Sequence, residues 1–107
     1  MEKRTEKGGR PVALAGVPLK LRYTINSLCE LEDLAGMPID LLMNRQFSAT
    51  RLLLWAGLRQ DQPELSVWDV GELIGEHVLG GGSLEDVIDL CARGLRDAGL
   101  LREEETV

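Results

Sequence analysis

A carboxylate stands among apolar side chains in the stretch "INSLCELEDLA", residues 25–35. With Ile25 at 0° and about 100° per residue, Glu32 falls at about 340°. That is inside the arc formed by Ile25, Leu28, Cys29, Leu31 and Ala35. An unpaired buried charge costs several kcal/mol, so an acid in this place is either used or satisfied. Catalytic use needs a nucleophile with its base, a carboxylate pair in contrasting environments, or a metal. Nothing in the sequence supplies these, and Glu32 is expected to be a structural acceptor for an arginine or for backbone N–H groups at the start of a neighbouring helix.

The other chemically equipped residues read in the same way. His77 is the sole histidine and has no partner at metal-ligand spacing, which points to a structural role. Gly80–Gly82 precede a helix as phosphate loops do, but the "GK[ST]" ending is missing and Glu85 and Asp86 follow. Two carboxylates at a helix N-terminus repel phosphate, so the glycines are read as a flexible break. Cys29 and Cys91 each fall on the apolar arc of an expected helix and are read as buried free thiols. No catalytic, cofactor-binding or metal-binding residue is expected, and the chain is read as a non-enzyme.

The 107 residues suffice for one domain with a modest core. With 18 acidic against 12 basic residues the formal charge is -6, the wrong sign for a surface that follows phosphate backbones. The turn between the last two expected helices invites a helix-turn-helix reading. The face it would present carries Glu85, Asp86, Asp89 and Asp97 against Arg93 and Arg96, which opposes nucleic acid. No apolar run approaches the ~18 residues of a membrane span, and "MEKRTEKGGR" lacks the apolar stretch of a signal peptide. A cytoplasmic protein is expected.

The elements that position these residues follow from period and punctuation. Residues 1–10 read as a disordered tail, and order is expected from Pro11. Val12–Leu14 and Val17–Tyr23 alternate on either side of Ala15-Gly16, which predicts a hairpin with Leu19, Leu21 and Tyr23 on one face. The period then changes from two to 3.6. Thr24 is placed to cap a helix that Gly36 ends, a short helix runs from Pro38 to Arg45 with Ile39, Leu42 and Met43 inward, and Ser48 is placed to cap a third helix reaching Gln60. "SVWD" at Ser66–Asp69 has capping-box spacing before a fourth helix, and Ser83 is placed to cap a fifth, with Leu84, Val87, Ile88, Cys91, Leu95 and Ala98 inside. The expected architecture is mainly α: four to five helices and an N-terminal β-hairpin forming one domain over residues 11–100, followed by an acidic frayed tail at 101–107.

Two stretches carry more apolar surface than one inner stripe can hide. Leu52, Leu53, Leu54 and Trp55 point in four directions, so the third helix is either central to the domain or shared with a partner. Trp68, with Gly75 and Leu79, lies on a flank of the fourth helix off its core stripe, and indole beside a small residue is a common interface anchor. The partner-binding residues are therefore expected to be Trp55, Leu58, Trp68, Gly75 and Leu79, on a surface prone to homo-oligomerise.

The order of these features resembles that of small phage tail assembly proteins. An alternating stretch runs into "LRYTINSLCELEDLAGMPIDLL"; "LLLWAGLR", "QPELSVWDVGELI" and a final acidic amphipathic helix follow. The pattern, over roughly residues 11–98, is similar to the gene transfer agent tail-protein family and to tail assembly chaperones of long-tailed phages. It rests chiefly on Leu31-Glu32, Gly36 and Ala56-Gly57-Leu58. The resemblance implies a non-enzymatic chaperone, without cofactors, that binds the helical tape measure protein and helps tail tube subunits assemble around it. Relatives of this kind have also been labelled tube components. A tube subunit needs extensive sheet, which the single expected hairpin does not provide. The alternative left open is a small acidic adaptor or regulator acting by protein–protein contact.

Overall fold

The structure is a computed structural model that describes residues 9–101. Of the expected tails over residues 1–10 and 101–107, residues 1–8 and 102–107 lie outside the described residues. In the turn Ala15-Gly16 both residues take positive φ, 52° and 78°. That pair of left-handed residues matches the right-handed twist of the strands it joins. The turn pairs β1 (Arg10–Leu14) antiparallel to β2 (Val17–Leu21), from Leu14 opposite Val17 to Arg10 opposite Leu21. Leu14, Leu19, Leu21 and Tyr23 are buried, as the alternation predicts. Arg10, expected in the N-terminal tail, is part of β1. Its guanidinium donates to both carboxylate oxygens of Asp97 at 2.7 and 3.0 Å, tying the strand to the end of the last helix.

Thr24 and Ser27 form a reciprocal capping box, with Ser27 N–H donating to Thr24 Oγ1 at 3.0 Å and Thr24 N–H to Ser27 Oγ at 2.9 Å. This starts α1 (Ile25–Ala35), which Gly36 closes in the left-handed conformation at φ 73°. The box holds Ser27 in the interior, so the buried face centres on Ser27, Leu28, Leu31 and Ala35. That is a rotation of roughly 60° from the arc drawn through Ile25, Leu28, Cys29, Leu31 and Ala35. Ile25 and Cys29 consequently face solvent, which corrects the reading of Cys29 as a buried thiol; Cys91 is buried.

α2 is only Ile39–Leu42, because bonds from Asn44 N–H to Leu41 O and from Arg45 N–H to Leu42 O tighten the chain and end the helix. Met43 turns outward instead of packing inside. α3 then starts at Gln46, so Ser48 lies within its first turn and is not its cap.

α3 (Gln46–Leu58) is the central helix, buried without a break from Leu52 to Leu58. The other four helices and β2 pack around it. Gly57 permits the closest approach: a Cβ there would stand 2.5 Å from Leu21 Cδ1 and 2.7 Å from Tyr23 Cζ. Arg22 N–H donates to Gly57 O at 2.8 Å, and the Tyr23 hydroxyl donates to Leu53 O. Gly94 flanks the same tyrosine ring from α5, with its would-be Cβ 2.9 Å from Tyr23 Cε2.

α4 (Val67–Leu79) and α5 (Leu84–Asp97) each begin with a capping box, Ser66 with Asp69 and Ser83 with Asp86. A glycine turn joins them, with Gly81 at φ 106°. The hairpin and five helices make the mainly α fold that the sequence predicts.

Candidate protein-binding groove

Glu32 is the structural acceptor its position suggested. Its Oε2 accepts the Ile39 N–H at 2.9 Å, so the carboxylate caps the otherwise uncapped start of α2. It lies half-buried at the edge of the inner face of α1, as the rotated arc requires.

His77 is also accounted for by the fold. Its Nε2 lies 3.0 Å from Asp86 Oδ2, which joins the last turn of α4 to the capping box of α5. The Ser83 backbone N–H and then His77 hold the Asp86 carboxyl below its usual range. Gly82 has no side chain because the His77 ring occupies that space; a Cβ would stand 2.2 Å from Nε2. At the opposite end Arg10 lowers the Asp97 carboxyl, chiefly by hydrogen bonding. Tyr23 and Cys91 are buried against each other. Burial, with the neighbouring Cys91 adding to it, raises the tyrosine well above its ordinary value, and burial pushes the thiol up to about 11. A thiol in that state is an inert core group. Among the described residues no cluster of His, Cys, Asp and Glu has the arrangement of a metal site, and no helix is long and apolar enough to cross a membrane.

The five residues expected to bind a partner separate into two groups. Leu58 is 0% exposed and Trp55 9%, so neither belongs to a surface. The Arg59 guanidinium lies 5.2 Å from the centre of the Trp55 ring, and its Nε is paired with Glu30 at 3.0 Å, which covers the indole with an ion pair between α3 and α1. For the "LLLW" run the central-helix alternative therefore holds. Trp68 and Leu79 are 70% and 89% exposed and share the outward stripe of α4 with Gly75. The Trp68 indole N–H donates to Glu72 one turn on, at 3.2 Å.

Beside that stripe lies an apolar groove of about 560 Å³ between the start of α3, the second half of α4 and the start of α5. Gly75 and Leu79 line it together with Phe47, Ile74, Val78 and Leu84. Phe47 is 76% exposed, and the sequence reading missed it. Helical periodicity alone would have misplaced it, because Phe47 shares a face with Leu54, seven residues on, which is fully buried. What leaves Phe47 uncovered is the way α4 and α5 meet near it, which is a tertiary fact. Arg51 is the charged group in the lining, and its Cδ lies 3.1 Å from where a Gly71 Cβ would be. Among known proteins, no family model, no curated protein and no solved structure matches this chain.

Proposed function

We propose that the protein is a non-enzymatic, chaperone-type binding protein of the phage tail-assembly kind, whose client is the long helical tape measure protein. The observation that carries the proposal is the groove, with Phe47, Val78 and Leu79 exposed around it and Trp68 extending the same side of α4. Apolar surface gathered in this way binds a partner or self-associates. Helix backbones satisfy their own hydrogen bonds, so the walls of this groove offer no sheet edge for strand addition; an amphipathic helix laid in by its apolar side fits it. The tail-assembly assignment rests on the resemblance of residues 11–98, and the groove supplies a surface suited to that role. Tail tube protein is a second expected contact during assembly in the host cytoplasm.

The test is calorimetry of the full chain with overlapping fragments of the tape measure protein from the same particle, at low and high salt. Binding should survive 0.5 M salt and weaken at least tenfold in Leu79→Ser and Trp68→Ala. Binding that collapses with salt and ignores both substitutions would assign recognition to the acidic faces and favour the adaptor alternative.

A further inference from the structure

Arg10 pairs with Asp97 and Arg59 with Glu30, and His77 Nε2 lies 3.0 Å from Asp86 Oδ2. Arg51 has no carboxylate partner among the described residues, and its Nε is buried without an acceptor. The chain has six more acids than basic residues, yet no acid among the described residues is paired with this arginine. The side chain is held in position all the same. Gly71 leaves room for its methylenes, and it forms part of the groove wall with Phe47, Ile74, Gly75 and Val78. Gly75 has nothing within 4 Å of its would-be Cβ, so the groove is open beside the arginine.

We infer that Arg51 is a specificity anchor, and that the occupant of the groove is a client helix carrying one carboxylate among its apolar contact residues. The inference rests on the docking reading above and adds the chemistry of the client. An apolar helix alone would cover the groove and leave the guanidinium further desolvated with donors unpaired, which opposes binding. A helix presenting Glu or Asp one turn from its apolar contacts fills the groove and gives the terminal guanidinium nitrogens of Arg51 a charge-assisted pair. Apolar area supplies affinity in this arrangement, and the carboxylate selects the client and its register.

The experiment selects from a display library of 16-residue helical peptides, with apolar residues fixed at i, i+4 and i+7 and the remaining positions randomised, on the full-length protein. Wild type should enrich an acid at one constant position. Replacing that acid by its amide should weaken binding by about tenfold to a hundredfold. Arg51→Met keeps the packed stem and should lose the preference, while Arg51→Glu should enrich Lys or Arg at the same position; melting curves of both variants establish that they fold. A consensus without an acid, bound in a way that depends on Phe47 and Leu79, overturns the role of Arg51 and leaves the docking reading standing. Peptides indifferent to Phe47→Ser and Leu79→Ser overturn both. A dimer that the selected peptides cannot displace would mean that a second copy fills the groove.

Discussion

Two glycine-to-alanine substitutions in helices should have opposite signs. In each case the helix gains roughly 0.5–1 kcal/mol from lost unfolded-state freedom. At Gly75 nothing lies within 4 Å of the new methyl, so that gain should appear in full. At Gly57 the methyl would enter space held by Leu21 Cδ1 at 2.5 Å and Tyr23 Cζ at 2.7 Å, and both side chains are buried. Neither can retreat freely. Tyr23 is anchored by its hydroxyl to Leu53 O and backed by Gly94, and the strand end is held by Arg22 N–H on Gly57 O. Overpacking of this kind costs about 1–3 kcal/mol, and displacing the tyrosine hydroxyl from its carbonyl adds about 1–3 more. The net expectation is ~3 kcal/mol of destabilisation for Gly57→Ala and ~0.5–1 kcal/mol of stabilisation for Gly75→Ala. At roughly 4–8 °C per kcal/mol for a domain of this size, the two melting midpoints should lie more than 10 °C apart. Urea unfolding followed by circular dichroism at 222 nm measures both. A Gly57→Ala protein as stable as wild type would refute the wedging of Tyr23 between α3 and α5.

Glu32→Ala should destabilise by ~1–3 kcal/mol in urea unfolding, because it uncaps Ile39 N–H, whereas Glu32→Gln, which keeps an acceptor, should lose less; equal losses would count against the cap. Trp55→Ala should cost ~3–5 kcal/mol of stability as a core truncation, and Trp68→Ala should leave the melting midpoint within about 0.5 kcal/mol of wild type while weakening association by ~1–3 kcal/mol. Raising the pH should destabilise the fold. Cys91 ionises near 9.0 when unfolded and at about 11 when folded, so the unfolded chain releases protons first and stability falls as pH climbs across that window, a loss on the order of 3 kcal/mol from this thiol. Tyr23, also shifted upward, adds to the loss above pH 10. Since Tyr23 is the sole tyrosine, its phenolate absorbance near 295 nm should rise together with the loss of helix and not before it.

Local physics made the elements legible. The change of period at Thr24, the Ala15-Gly16 turn, the capping box at Ser66, the cap at Ser83 and the apolar surplus of "LLLW" are contained in spacings of a few residues, where propensity and hydrogen bonding act on neighbours. Glu32 was legible for the same reason, since a carboxylate in an apolar arc must find donors close by, and Ile39 lies seven residues on. The binding surface was only half legible. Periodicity reports which residues share a face of their own helix, and it placed Trp68, Gly75 and Leu79 together. Whether that face is covered depends on how far other helices extend over it. Trp55 and Leu58 were expected at the surface and are buried because α3 is surrounded by the other elements. Phe47 shares a face with buried Leu54 and is exposed because α4 and α5 leave the groove open beside it. That Arg51 has no carboxylate partner among the described residues became visible only where three helices meet, because a missing partner is a property of a whole neighbourhood and has no counterpart in the spacing of residues along one chain.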